Sequence, residues 1–164
     1  MPKRVDQMAV PVVRGSQYPR PFDEPCAGRA RQQLGNAAGL TDFGVNLMRL
    51  YPGSWSSQRH WHLLEDEFVF VIEGEVVLVT DSGEEVLRAG DSAGFKAGNK
   101  DGHHLQNRSS EDAVILEVGS RKPDDEGEYS DIDMRFLRGD AGYVHKDGRP
   151  YRPSATRRST DEST

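Results

Sequence analysis

Cysteine is almost absent from this chain of 164 residues: Cys26 stands alone, so no disulfide can form within one chain, and a reducing, cytoplasmic setting is expected. An excess of cations is missing too. Lysine and arginine total 21 against 27 aspartates and glutamates, a net charge of −6, and a surface of that sign does not neutralise phosphates, which argues against nucleic acid as the main partner. No stretch approaches the ~20 apolar residues of a membrane span. The opening Met1-Pro2-Lys3-Arg4-Val5-Asp6 also lacks the apolar run of a signal peptide. Neither nucleic acid nor a membrane is therefore expected as a partner.

Helical periodicity is the next absence, over the whole middle of the chain. In its place are short β-branched and aromatic runs separated by glycine turns. Phe43 to Tyr51 is stopped by Pro52-Gly53 and reads as a first core strand. Glu67 to Ile72 and Glu75 to Thr80 meet at Glu73-Gly74, the pattern of a tight hairpin, with Phe68, Phe70 and Ile72 expected in the core. Glu85 to Arg88, the stretch around Phe95, His103 to Arg108 and Ala113 to Val118 supply further strands. Many short strands at near-even spacing predict an all-β antiparallel sandwich or barrel.

Histidine is scarce but clustered. His60 and His62 alternate with Trp61, so on a strand both imidazoles project from one face. Glu67 follows as a carboxylate, and His103 comes forty residues on as a fourth arm. Imidazole with carboxylate suits a first-row ion such as Mn, Fe, Co, Ni or Zn, whereas an oxygen-only cage would point to Mg or Ca. One divalent transition metal per chain is the expectation. His104 alternates to the face opposite His103 and reads as a supporting residue, His145 as incidental, and Glu65 and Asp66 as solvated carboxylates.

These residues resemble the cupin family. Its first motif falls on Gly53, His60, His62, Glu67 and Gly74, with four residues between His62 and Glu67 and six between Glu67 and Gly74. Its second falls on Gly90, Lys96, Gly98, His103 and Asn107, where Lys96 replaces a proline and two extra residues separate Gly98 from His103. The resemblance covers roughly residues 43 to 119. It implies one jelly-roll barrel and narrows the choice between the adjacent histidines to His103, three residues before Asn107. A domain plan follows: an extended N-terminal arm over 1–41 with at most one helical turn, the barrel core over 42–120, a C-terminal strand and hairpin extension over 121–153, and a disordered tail over 154–164.

A three-histidine, one-carboxylate site leaves ion positions open to a small molecule. The family includes dioxygenases, decarboxylases, sugar-phosphate isomerases and epimerases, lyases and non-catalytic sensors, and fold alone does not choose. The leading expectation is a metal-dependent enzyme on a small polar metabolite, isomerase-like or dioxygenase-like. The alternative is a binding module whose ion is structural or holds a ligand. Arg49, Gln58 and Asn107 are the substrate-binding candidates, Asn107 having a loop brace as its other reading, and Glu117 or His104 are candidates for a general base. A homodimer is expected, with the arm crossing to its neighbour, because an arm used internally would cover the barrel's own mouth.

Overall fold

The computed structural model describes residues 4–137 and 142–151; the tail from 154 on lies outside them. The arm contributes β1 (Val12–Arg14), β2 (Arg29–Gln32) and the short helix α1 (Leu34–Ala38). The barrel follows with β3 (Phe43–Leu50), β4 (His60–His62), β5 (Glu67–Glu73), β6 (Glu75–Thr80), β7 (Gly83–Arg88), β8 (Ser92–Phe95), β9 (His104–Gln106) and β10 (Ala113–Ser120). The extension adds β11 (Glu126–Tyr129), β12 (Arg135–Leu137) and β13 (Gly142–Val144). All pairings are antiparallel, in a six-stranded sheet of order β1-β2-β3-β10-β5-β8, a four-stranded sheet β13-β12-β11-β4 and a three-stranded sheet β7-β6-β9. A bridge between His60 and His103 joins the two smaller sheets opposite the large one. This is the antiparallel barrel that the alternating strands predict, in the jelly-roll form that the resemblance implies.

Two-residue alternation decides which side chains enter the barrel. On β3 the inward set includes Met48 and Leu50, and on β10 it includes Ala113 and Ile115, all fully buried. With Val69, Val71, Val76, Leu78, Leu87 and Leu105 they form the apolar end of the barrel. Each such side chain, when fully buried, stabilises the fold by roughly 1.5–3 kcal/mol. The same alternation corrects the expectation for β5: Val69 and Val71 are its core residues, while Phe68, Phe70 and Ile72 are exposed. Glu67 points inward, so its in-phase neighbours are the odd-numbered ones.

The expected hairpin at Glu73-Gly74 is corrected as well. β5 pairs with β10 and β8, β6 with β7 and β9, and the two are not partners. Gly74 is instead a corner at which the chain leaves one sheet for another. Its φ of +75 is the left-handed region, and a Cβ there would lie 2.5 Å from the Asp112 carbonyl oxygen, so only glycine fits the turn.

The arm is not crossed over the mouth. Within the chain β1 and β2 extend the large sheet beside β3, with β1 at its edge, and Arg31 and Tyr18 of the arm wall the cavity from the side. Arg29 fastens it, donating from Nη1 to the Ser56 carbonyl at 2.6 Å and from Nη2 to that of Gly15 at 2.8 Å. Tyr18 and Cys26 of the arm pack with Tyr129 and Met134 of the extension in a second cluster. The extension closes with a turn at Asp147-Gly148, where the Gly148 amide donates to the His145 carbonyl at 2.8 Å. No helix of the described residues is long and apolar enough to cross a membrane.

Candidate metal centre

β4 is only three residues long, but it is held on both sides. β11 pairs with it so that Gly127 faces His62 and Tyr129 faces His60, and His60 exchanges backbone hydrogen bonds with His103 at 2.9 and 3.2 Å. This pairing brings the second motif's histidine beside the first motif's. Glu67 opens β5 and reaches in from the large sheet. Its Oε2 lies 3.0 Å from His103 Nε2 and 3.7 Å from the Nε2 atoms of both His60 and His62. Four predicted ligands therefore converge on one point.

Donors 3.0–3.7 Å apart are spaced as ligands around one ion with bonds of about 2.0–2.2 Å. The other ring nitrogens say the same. His60 Nδ1 sits 2.9 Å from the Gln58 carbonyl oxygen and His62 Nδ1 sits 2.6 Å from Asp125 Oδ2. Acceptors at these positions keep the proton on Nδ1 and leave the Nε2 lone pair for a metal. Glu67 Oε2 is buried and receives no hydrogen bond of good geometry, a costly arrangement for a carboxylate unless a cation completes it. The residues present fit a divalent ion.

The electrostatics support ligation. Burial pushes the His60 imidazole down to about 3 despite the nearby Glu67 carboxylate, so it stays neutral and need not lose a proton to bind. Burial alone would raise Glu67, but the His103 imidazole at 3.0 Å outweighs it and holds the carboxyl well below its usual range. Phe95 stacks on His103 with ring centroids 3.5 Å apart, fixing the plane of the third imidazole.

Asp125 is the residue here that sequence reasoning missed. It is fully buried, and besides His62 it accepts the Leu64 amide at 2.8 Å. Lying in a charged connector, it carries no periodic signal. His104 is a structural peg: its Nδ1 is 2.9 Å from the Ser57 carbonyl oxygen, its Nε2 is 2.9 Å from Gln106 Nε2, and its ring packs edge-on to Trp55. His145 stands apart, against Asp133 and Tyr151. Glu65, expected to be solvated, is buried and accepts the Lys122 amide at 2.7 Å.

The three substrate-binding candidates lie away from the cavity, and Asn107 takes its other reading, the loop brace. Arg49 is on the outer face of β3, paired with Asp112 at 3.0 Å, because Met48 and Leu50 take the inward phase. Gln58 is buried and donates to the Phe22 carbonyl at 2.7 Å, which ties down the arm. Asn107 braces a loop, donating to the Leu50 and Glu111 carbonyls at 2.8 and 2.7 Å while its Oδ1 accepts the Ser109 amide. None of the three lines the cavity at the metal centre. That cavity, of about 610 Å3, is bordered by Arg31, Asn46, Ser57, His60, Glu67 and Glu117. A smaller adjoining space of about 230 Å3 is walled by Tyr18, Tyr129 and Tyr143. Glu117, a candidate base from sequence, borders the cavity as expected; Asn46 could have been found by carrying the inward phase of Met48 along its strand, whereas Arg31 and Tyr18, in the arm, had no such signal.

The family model for the cupin domain matches residues 46–119. Among solved structures, the chain is similar to a sugar phosphate isomerase from a cupin superfamily of Silicibacter pomeroyi, at 43% identity over 92% of this chain and 97% of that one, with a TM-score of 0.87. It is also similar to a putative sugar phosphate isomerase of Acidithiobacillus ferrooxidans, at 26% identity over 80% and 83% of the two chains and a TM-score of 0.70. A polyketide cyclase of Streptomyces resistomycificus, 20% identical over 74% of this chain and 81% of that one with a TM-score of 0.60, shares the fold alone. No curated protein matches the chain.

Proposed function

Because the chain belongs to the cupin superfamily, we propose that it is a metal-dependent isomerase acting on a small sugar phosphate or a related α-hydroxy carbonyl compound. One observation carries this reading: the cavity of about 610 Å3 has His60, Glu67 and His103 in its wall, so a substrate seated there meets the donor cluster directly. The similarity to a sugar phosphate isomerase along nearly the whole chain gives the substrate class. The ligands are His60, His62, Glu67 and His103. A bound divalent ion supplies Lewis acidity to adjacent carbonyl and hydroxyl oxygens. The chain's own residues do the rest: the Asp125 carboxylate orients His62, Phe95 fixes His103, and the polar groups of the facing wall orient the substrate.

The experiment is elemental analysis of purified protein, followed by incubation with aldose and ketose phosphates in D2O. Interconversion with deuterium appearing at carbon, abolished by a chelator and restored by the ion, is expected. Protein that holds its ion and retains a small molecule, with neither exchange nor interconversion across the panel, would make it a binding module.

A further inference from the structure

Resting on that reading, we infer that Glu117 carries the proton between the two reacting carbons, and that Arg31, brought in by the N-terminal arm, is the positioning residue that aims it. Three carboxylates line the larger cavity: Glu65, Glu67 and Glu117. Glu65 is engaged by the Lys122 amide and Glu67 is enclosed by imidazoles. Glu117 is in phase with Ala113 and Ile115 on β10, so it faces into the barrel. Its register partner is Val69, and that of Gly119 is Glu67, which makes Glu117 the diagonal neighbour of Glu67, about 7–8 Å across the sheet. Both residues border the same cavity of about 610 Å3, so a small α-hydroxy carbonyl compound seated there meets the donor cluster and the base together.

The other proton carriers at the cavity are unsuited. Both ring nitrogens of His104 are occupied by Ser57 and Gln106. Burial raises the phenols of Tyr18, Tyr129 and Tyr143 above their ordinary range, so they remain neutral donors and not bases. Arg31 holds Glu117 with its Nη2 donating to Oε1 at 3.0 Å and its Nε 2.9 Å from Oε2. The two side chains are 27% and 19% exposed. An ion pair this withdrawn from water costs desolvation and is a weak source of stability, but it fixes a carboxylate's direction and keeps it from swinging onto the imidazoles.

The proposed step balances without a co-reactant. Glu117 takes the proton from the carbon bearing the hydroxyl; the C–H pair becomes the carbon–carbon double bond of an enediolate, and the carbonyl π pair moves to its oxygen. The protonated carboxyl then delivers the proton to the former carbonyl carbon, while the hydroxyl proton passes from the second oxygen to the first. One carbon is oxidised and its neighbour reduced.

The test compares wild type, Glu117→Gln, Arg31→Gln and the paired Arg31→Met/Glu117→Met variant, each checked for metal content. Deuterium exchange at substrate carbon should fall ~10²–10⁴-fold in Glu117→Gln with the ion retained. Affinity for a sugar-phosphate hydroxamate, which mimics the enediolate, should fall more than affinity for the matching sugar-alcohol phosphate. Arg31→Gln should lower kcat about tenfold with little change in KM. If the pair were only a tie between arm and barrel, the double methionine variant would fold and exchange like wild type, and that result overturns the inference, as does an unimpaired Glu117→Gln. A wild-type protein that neither exchanges nor binds the hydroxamate overturns the isomerase reading, and the inference with it.

Discussion

The cavity has two unlike walls. One, from His60, His62, Glu67 and His103, is a cluster of imidazoles around a carboxylate, assembled from residues within one barrel and fixed by a single backbone exchange between His60 and His103. The other, from Arg31, Glu117, Tyr18, Tyr129 and Tyr143, is drawn from three separated parts of the chain: the arm, the last barrel strand and the extension. The first is built from donors aimed at one point, the second from rings that pack on one another and a paired arginine and glutamate. On the proposed reading, holding an ion is a local property of this fold. Recognition of what meets the ion depends on segments added before and after the barrel.

The division breaks first, if it breaks, at the metal. Replacing His60 and His62 together by alanine should take the ion from about one per chain to essentially none, since two of four ligands vanish. Elemental analysis after dialysis measures this, and unchanged content would dissolve the distinction between the walls.

A smaller effect sharpens where the ligand wall ends. Asp125 belongs by sequence to the segment after the barrel, yet its carboxylate is 2.6 Å from His62 Nδ1. Asp125→Asn should weaken metal binding ~10–100-fold, whereas Glu117→Gln should leave it unchanged. His103→Ala should weaken it far more than His104→Ala, because only His103 directs Nε2 at Glu67. Chelator competition ranks the four variants, and a His104→Ala loss exceeding that of His103→Ala would move the ligand by one residue.

This contrast also explains what the sequence revealed. His60, His62, Glu67 and His103 were legible because strand parity and motif spacing are local rules, and the barrel class followed from the same alternation. Phe68, Phe70 and Ile72 were misplaced by trusting hydrophobicity over parity: once Glu67 faces inward, Val69 and Val71 must follow and the phenylalanines must turn out. Arg31 and Asp125 were illegible for a different reason. Their partners, Glu117 and His62, lie 86 and 63 residues away in the chain, and no periodicity reports a contact of that range.

On the facing wall the expected consequence is stability, not metal. The ring of Tyr129 packs against those of Tyr18 and Tyr143 with centroids 5.5 and 6.3 Å apart, joining arm and extension. Tyr129 is buried and a buried phenol hydroxyl is normally hydrogen-bonded, so Tyr129→Phe should cost about 0.5–1.5 kcal/mol. Chemical denaturation should register that loss with the ion still bound. A variant as stable as wild type would mean that the hydroxyl makes no stabilising bond.

The smallest effect is expected outside both walls, at Arg49. Its guanidinium lies 3.0 Å from Asp112 with the two side chains 44% and 36% exposed, on the face of β3 opposite Met48 and Leu50. Water screens such a pair, and holding two long side chains in one geometry costs entropy, so its net contribution is about 0–1 kcal/mol. Arg49→Ala should therefore shift the unfolding midpoint slightly and leave metal content, kcat and KM as they were. The variant matters because an arginine on the inner face would behave differently: it would lose a cation that a phosphate could use, and KM would rise. A raised KM in Arg49→Ala, with the fold intact, would place Arg49 at the substrate after all and require β3 to present its odd-numbered residues to the cavity, which the full burial of Met48 and Leu50 opposes.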